Sequence, residues 1–106
     1  MNKITLYVGK NDKNLKKQVI SDKDFLTNFD IFILDVLNHC YTVTEGCGCY
    51  RHIDTITYEK CFIITIISNN LDINSDLFRN TIKRLKRILN QESILVTKQE
   101  LYTTFM

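Results

Sequence analysis

The period of the hydrophobic residues changes along this chain in a fixed order, and that order constrains the fold more than any motif does. Residues 3–9 alternate, 22–37 carry apolar side chains at helical spacing, and 41–50 and 55–67 alternate again. Helical spacing returns over 76–90, and a short apolar run closes at 93–97. A period of two sends successive side chains to opposite faces of a strand, whereas apolar residues three and four apart line one face of a helix. The chain therefore predicts strand, helix, strand, strand, helix, strand. This is the split βαβ order of a ferredoxin-like sandwich, an α+β fold whose antiparallel βαββαβ sheet carries two helices on one face. The same architecture houses enzymes, carriers and binding modules, so it does not select a function.

Size and composition set the outer limits. A chain of 106 residues with 44% hydrophobic and 25% charged residues has room for one core, and a single domain over 1–106 is expected. The longest apolar stretch, Cys61 to Ile67, falls far short of the roughly 20 residues that cross a bilayer. Met1 to Gly9 carry one lysine and alternate like a strand rather than a signal peptide, so the expectation is a cytoplasmic protein with no membrane contact. A net charge of +2 gives no general attraction for nucleic acid. The third strand reads Glu59-Lys60-Cys61-Phe62-Ile63, without the basic-Gly-aromatic pattern that stacks RNA bases, so nucleic acid is not an expected partner. The absence of proline and the abundance of Asn, Lys and Ile point to an AT-rich coding origin, as in a low-GC bacterium or its mobile elements.

Phe25, Phe29, Phe32 and Val36 recur at spacings of three and four, with Ser21 and Asp24 as a capping box. Leu26, Ile33 and Leu37 widen that stripe, and such width predicts a second buried contact and hence a homo-oligomer. The second helix carries a core stripe of Leu77, Phe78, Thr81, Ile82, Leu85, Ile88 and Leu89, with Asn74 or Ser75 as its cap. Basic residues gather at Lys83, Arg84, Lys86 and Arg87, and again at Lys10, Lys13, Lys16 and Lys17 in a long polar connection that reads as mobile. Gly46 and Gly48 interrupt the second strand, as glycines do at a bulge or where a ligand approaches the backbone. Arg51 to Asp54 form the hairpin connection.

Chemistry-bearing residues concentrate in the middle of the chain. Cys47-Gly48-Cys49 stands near Cys40, Cys61, His39 and His52, but its spacing is not that of a zinc knuckle, and reduced, metal-free thiols are expected. His52 beside Cys49 lacks an oxyanion site or an orienting group, and Glu45 and Glu59 facing across the hairpin read as solvated. Gly9-Lys10 is not a P-loop. These residues predict no enzyme and no cofactor. The candidate ligand site is Gly46, Gly48, Tyr50, Arg51 and His52: glycines for close approach, a tyrosine for stacking, an arginine fork for an anion.

Leu6-Tyr7-Val8-Gly9-Lys10, Ser21-Asp22-Lys23-Asp24-Phe25, the central Thr42 to Tyr50 segment and Asn90-Gln91-Glu92-Ser93-Ile94-Leu95-Val96 together resemble a small bacterial and phage family of unknown function. Its marks are a strand-Gly-basic opening and a closing Q-E-S-[IV]. The resemblance implies a single domain of this length and no particular activity. Gln91-Glu92-Ser93, at the turn from the second helix into the last strand, is expected to tie the helix end to the hairpin glycines or to contact a ligand beside Tyr50, Arg51 and His52. The leading expectation is a non-enzymatic, oligomeric binding module of a bacterium or phage that sequesters an anionic nucleotide-type small molecule at a subunit junction. The alternative is a protein-interaction or inhibitor module acting on a host protein.

Overall fold

A computed structural model describes residues 1–106, the side chain of His52 excepted. The elements follow in the expected order: β1 (Asn2–Gly9), α1 (Asp22–Phe29) continuing as a π-helical segment (Asp30–Val36), β2 (Thr42–His52), β3 (Thr55–Ser68), α2 (Asp76–Ile88) and β4 (Leu95–Glu100). The strands form one antiparallel sheet in the order β2-β3-β1-β4. This is the ferredoxin-like α+β arrangement.

Alternation builds the core. Ile4, Leu6 and Val8 of β1 stand opposite Ile66, Ile64 and Phe62 of β3, and all six are buried on one face. Phe25, Phe29, Phe32, Ile33 and Leu37 cover that face from the first helical unit, and Phe78, Leu85 and Leu89 cover it from α2. The rings of Phe25, Phe29 and Phe62 meet with centroids 5.4 to 6.2 Å apart. Each such fully buried side chain stabilises the fold by about 1.5–3 kcal/mol. Ser21 and Ser75 cap α1 and α2 by accepting hydrogen bonds from the Asp24 and Phe78 amides.

The breadth of the first apolar stripe has a local cause. Beyond Phe29 the backbone widens to π-helical hydrogen bonding, with the Leu37 amide donating to the Phe32 carbonyl at 3.1 Å. Five residues per hydrogen-bonded turn rotate Ile33 and Leu37 into the core beside Phe32. Part of the apolar width therefore serves the chain's own core, leaving Leu26, Ile31 and Leu34 partly exposed. Leu77 and Ile88 of α2, expected in the core stripe, are instead half exposed.

The hairpin is longer and its turn tighter than Arg51 to Asp54. Pairing continues to His52↔Thr55, leaving Ile53 and Asp54 as the turn, with Ile53 at φ 55°. Among the described residues, no helix is long and apolar enough to cross a membrane.

Candidate functional site

The sheet face away from the helices carries Tyr7 and Gly9 of β1 opposite Ile63 and Cys61 of β3. Where β1 runs into the 10–18 connection and α2 turns into β4, this face opens into a cleft of about 600 Å³. The hairpin supplies Gly48, Tyr50, Thr57 and Glu59 to its wall, the connection supplies Asn11, Asp12, Lys13 and Lys16, and the helix-to-strand corner supplies Gln91, Glu92 and Ser93.

Glu59 is held in the cleft by a glycine gap and a backbone amide. A Cβ on Gly9 would lie 2.7 Å from both carboxylate oxygens of Glu59, so the carboxylate rests in space that only glycine leaves open. The Asn11 amide donates to Glu59 Oε2 at 3.0 Å. The same residue's carbonyl accepts from Nε2 of the buried Gln91 at 2.9 Å. Asn90, in the left-handed region at φ 49°, donates from Nδ2 to Asp12 Oδ1 at 2.6 Å, and its carbonyl accepts from the Lys13 amide at 3.0 Å. The hydrogen bond from Asn90, then that from the Leu15 amide, holds the Asp12 carboxyl below the usual carboxylate range. The connection expected to be mobile is thus clipped to the α2–β4 corner.

Tyr50 folds back over Gly48, where a Cβ would meet its phenolic oxygen at 2.7 Å. Burial, then the charge of Glu59, raises the Tyr50 pKa. Cys61 is buried, and its thiol is pushed up by burial and then by Glu59, while Cys40, Cys47 and Cys49 are exposed. Among the described residues, no group of three or more His, Cys, Asp or Glu side chains stands together to hold a metal.

Of the expected site residues, Gly48 and Tyr50 line this cleft. Gly46 lines a shallower groove beside Lys10, Glu45 and Lys60. Arg51 pairs with Ile56, one residue out of phase with Tyr50, and so falls on the opposite face and lines neither cavity. His52 was expected to contribute its side chain, which lies outside the described residues. Glu45 and Glu59 do not face each other: Glu45 pairs with Phe62 and points to the helix side. Gln91 ties its corner to Asn11 rather than to the hairpin glycines, while Glu92 and Ser93 share the cleft with Tyr50.

Lys10 is no part of a solvated basic group. It is 5% exposed, pairs with Asp22 at 3.1 Å and with Glu45, and sits 4.2 Å above the Phe62 ring. Burial alone would lower its pKa, but the hydrogen bonds to Glu45 and Asp22 outweigh it and raise the value.

No family model and no curated protein sequence matches the chain. Its fold is shared with solved structures. A phage SAM lyase in complex with S-methyl-5'-thioadenosine is 20% identical with a TM-score of 0.63, over 93% of this chain and 80% of that one. CutA of Pyrococcus horikoshii is 13% identical with a TM-score of 0.55, over 96% and 87% of the two chains. The divalent ion tolerance protein CutA1 of Ehrlichia chaffeensis is 14% identical with a TM-score of 0.55, over 98% and 85%. The expectation that the chain is not an enzyme is overturned by the first of these. The same fold houses a lyase over nearly the whole chain, so the lack of a familiar catalytic motif excludes nothing.

Proposed function

We propose that the chain binds S-adenosylmethionine in the cleft and acts on it as a lyase, releasing S-methyl-5'-thioadenosine. The observation that carries this reading is the Glu59 carboxylate, held by Gly9 and the Asn11 amide on the wall that Tyr50 shares. A sulfonium cation leaving water gains most from a fixed carboxylate beside it. Tyr50 and Tyr7 offer ring faces for adenine, and Gly48 leaves the room in which the Tyr50 ring lies. A cavity of about 600 Å³ is of the size that encloses such a ligand. The shared fold with a phage SAM lyase adds support. An anionic nucleotide fits less well, because Asp12, Glu59 and Glu92 outnumber Lys13 and Lys16 around the cleft.

Cleavage breaks the bond between sulfur and the γ-carbon of the amino-acid chain, with the electron pair leaving on sulfur. The substrate's own carboxylate oxygen forms a bond to that carbon and closes a five-membered lactone, so no water, base or oxidant is consumed. The sulfur loses its charge as the bond breaks, so a carboxylate beside it favours the bound substrate over the transition state. Glu59 therefore contributes to affinity, and the rate comes from holding the substrate in a reactive conformation.

Gly48 and Tyr50 are retained as ligand-binding residues. The remainder of the hairpin belongs to a homo-oligomer. β1 stops at Gly9↔Cys61 and the Lys10 amide reaches the Lys60 carbonyl, so beyond that point residues 48–59 find backbone partners only in each other, and Ile56 and Tyr58 are 49% and 68% exposed. Unsupported two-stranded ribbons are marginal in water, and a neighbouring copy covers this arm on the side that carries Arg51. Membership of the small bacterial and phage family with the closing Q-E-S-[IV] fits the same reading.

Incubation with S-adenosylmethionine, followed by chromatography for S-methyl-5'-thioadenosine, tests the proposal. Product from the wild type and a raised KM in Glu59→Gln are expected. Neither binding nor product from the wild type would refute it.

A further inference from the structure

The 10–18 connection brings two lysines, Lys13 and Lys16, to the rim of the cleft, and neither ammonium has a hydrogen-bond or ion-pair partner among the described residues. Their position is fixed by backbone. The Lys13 amide donates to the Asn90 carbonyl at 3.0 Å, and the Lys16 amide donates to the Asp12 carbonyl at 2.9 Å. Lys16 is held at φ 58°, a left-handed conformation that a lysine does not adopt by preference. Strained residues of this kind persist where surrounding contacts over-determine them, and here the Asp12–Asn90 clip does so. The cleft thus has an acidic wall at Glu59 and a basic rim at Lys13 and Lys16.

A ligand matching both carries a cation and a carboxylate in one molecule. We infer that Lys13 and Lys16 grip the carboxylate of the ligand's amino-acid group, making the site selective for zwitterionic, amino-acid-bearing nucleosides over decarboxylated or neutral ones. This rests on the reading of the cleft as an S-adenosylmethionine site, and it adds the residues that set its selectivity. The lysines act as point charges on flexible stems, so they add affinity for the carboxylate without fixing the adenosine.

Calorimetric titration of the full chain with S-adenosylmethionine, its decarboxylated form and S-methyl-5'-thioadenosine tests the inference. The wild type should bind the carboxylate-bearing ligand about tenfold tighter than the decarboxylated one, the size expected of a charge-assisted contact. The Lys13→Gln/Lys16→Gln variant should lose that preference and keep its affinity for S-methyl-5'-thioadenosine. Glu59→Gln should keep the preference while weakening both cationic ligands. Because Lys13 and Lys16 hold the loop through their amides, the variant should melt with the wild type, and Lys13→Gln alone serves as a milder second variant. Binding with the preference absent from the wild type, or undiminished in the double variant, overturns the inference alone. No binding of any of the three ligands overturns the functional reading beneath it.

Discussion

Replacing Gly9 by alanine should change sign in its effect on stability according to whether Glu59 is present. A Cβ at position 9 would lie 2.7 Å from both Glu59 oxygens, so the carboxylate must move away and release the Asn11 amide. A hydrogen bond to a charged group contributes about 1.5–3 kcal/mol when sheltered, and Glu59 is only half buried, so about 1 kcal/mol is at stake. Against this, Gly9 does not occupy the left-handed region, and glycine to alanine at a compatible site stabilises by about 0.5 kcal/mol through the unfolded chain. Gly9→Ala alone should therefore destabilise by about 0.5 kcal/mol. In a Glu59→Ala background the three atoms nearest the new methyl group are gone, and the same substitution should stabilise by about 0.5 kcal/mol. The double-mutant cycle then gives a coupling of about 1 kcal/mol, which urea unfolding of the four proteins resolves. Equal effects of Gly9→Ala in both backgrounds would refute the account of how Glu59 is held.

Ile53→Asn should raise stability by about 1 kcal/mol in the same assay, because Ile53 sits at φ 55° and asparagine tolerates that region far better than a β-branched residue. Lys10→Met should cost no more than about 1 kcal/mol, since the half-exposed Asp22 and Glu45 regain water. The Asp22→Ala/Glu45→Ala pair should cost more, about 2 kcal/mol after allowance for partial hydration, because it strands a buried charge, and thermal melts should rank the two accordingly. Acid should weaken the fold through Asp12 and Asp22, whose pKa values are depressed, Asp12 by Asn90 and Asp22 by Gln18 and then Lys10. Their contribution is complete above the unfolded carboxylate value of about 3.9 and is lost as pH falls through the lower folded values. Asp12→Asn should accordingly flatten the acid limb of stability against pH, measured as urea midpoints from about pH 6 downward.

Much of the fold was legible because alternation and helical spacing are local properties. Ile4-Leu6-Val8 and Phe62-Ile64-Ile66 announce a shared face without any knowledge of pairing. The π-helical segment was not legible: Phe32, Ile33 and Leu37 look like an overly wide α-helical stripe until the extra residue per turn is known. The turn at Ile53 was hidden because no Asn-Gly marks it, although the strands pair out to His52↔Thr55. Gly48 and Tyr50, which line the candidate cleft, are marked in the sequence by their residue types. Arg51 alternates with Tyr50, so strand parity alone sends it to the other face of the sheet. Glu59 shows the limit of such reading, because its role depends on the register that brings Gly9 opposite Cys61, and no local pattern encodes a register between distant strands. The clip from Asn90 and Gln91 to Asn11 and Asp12 is equally non-local, and its polar residues read as an ordinary loop.

A proton NMR time course of S-adenosylmethionine with the purified chain, following the S-methyl resonance, tests directly whether the cleft cleaves this substrate. The sulfonium methyl signal should decay into the thioether signal of S-methyl-5'-thioadenosine at a rate proportional to protein, and at subsaturating substrate Glu59→Gln should slow it. A sulfonium signal that persists unchanged, with stoichiometric protein and no line broadening to report binding, would rule out the cleft as a lyase site for S-adenosylmethionine.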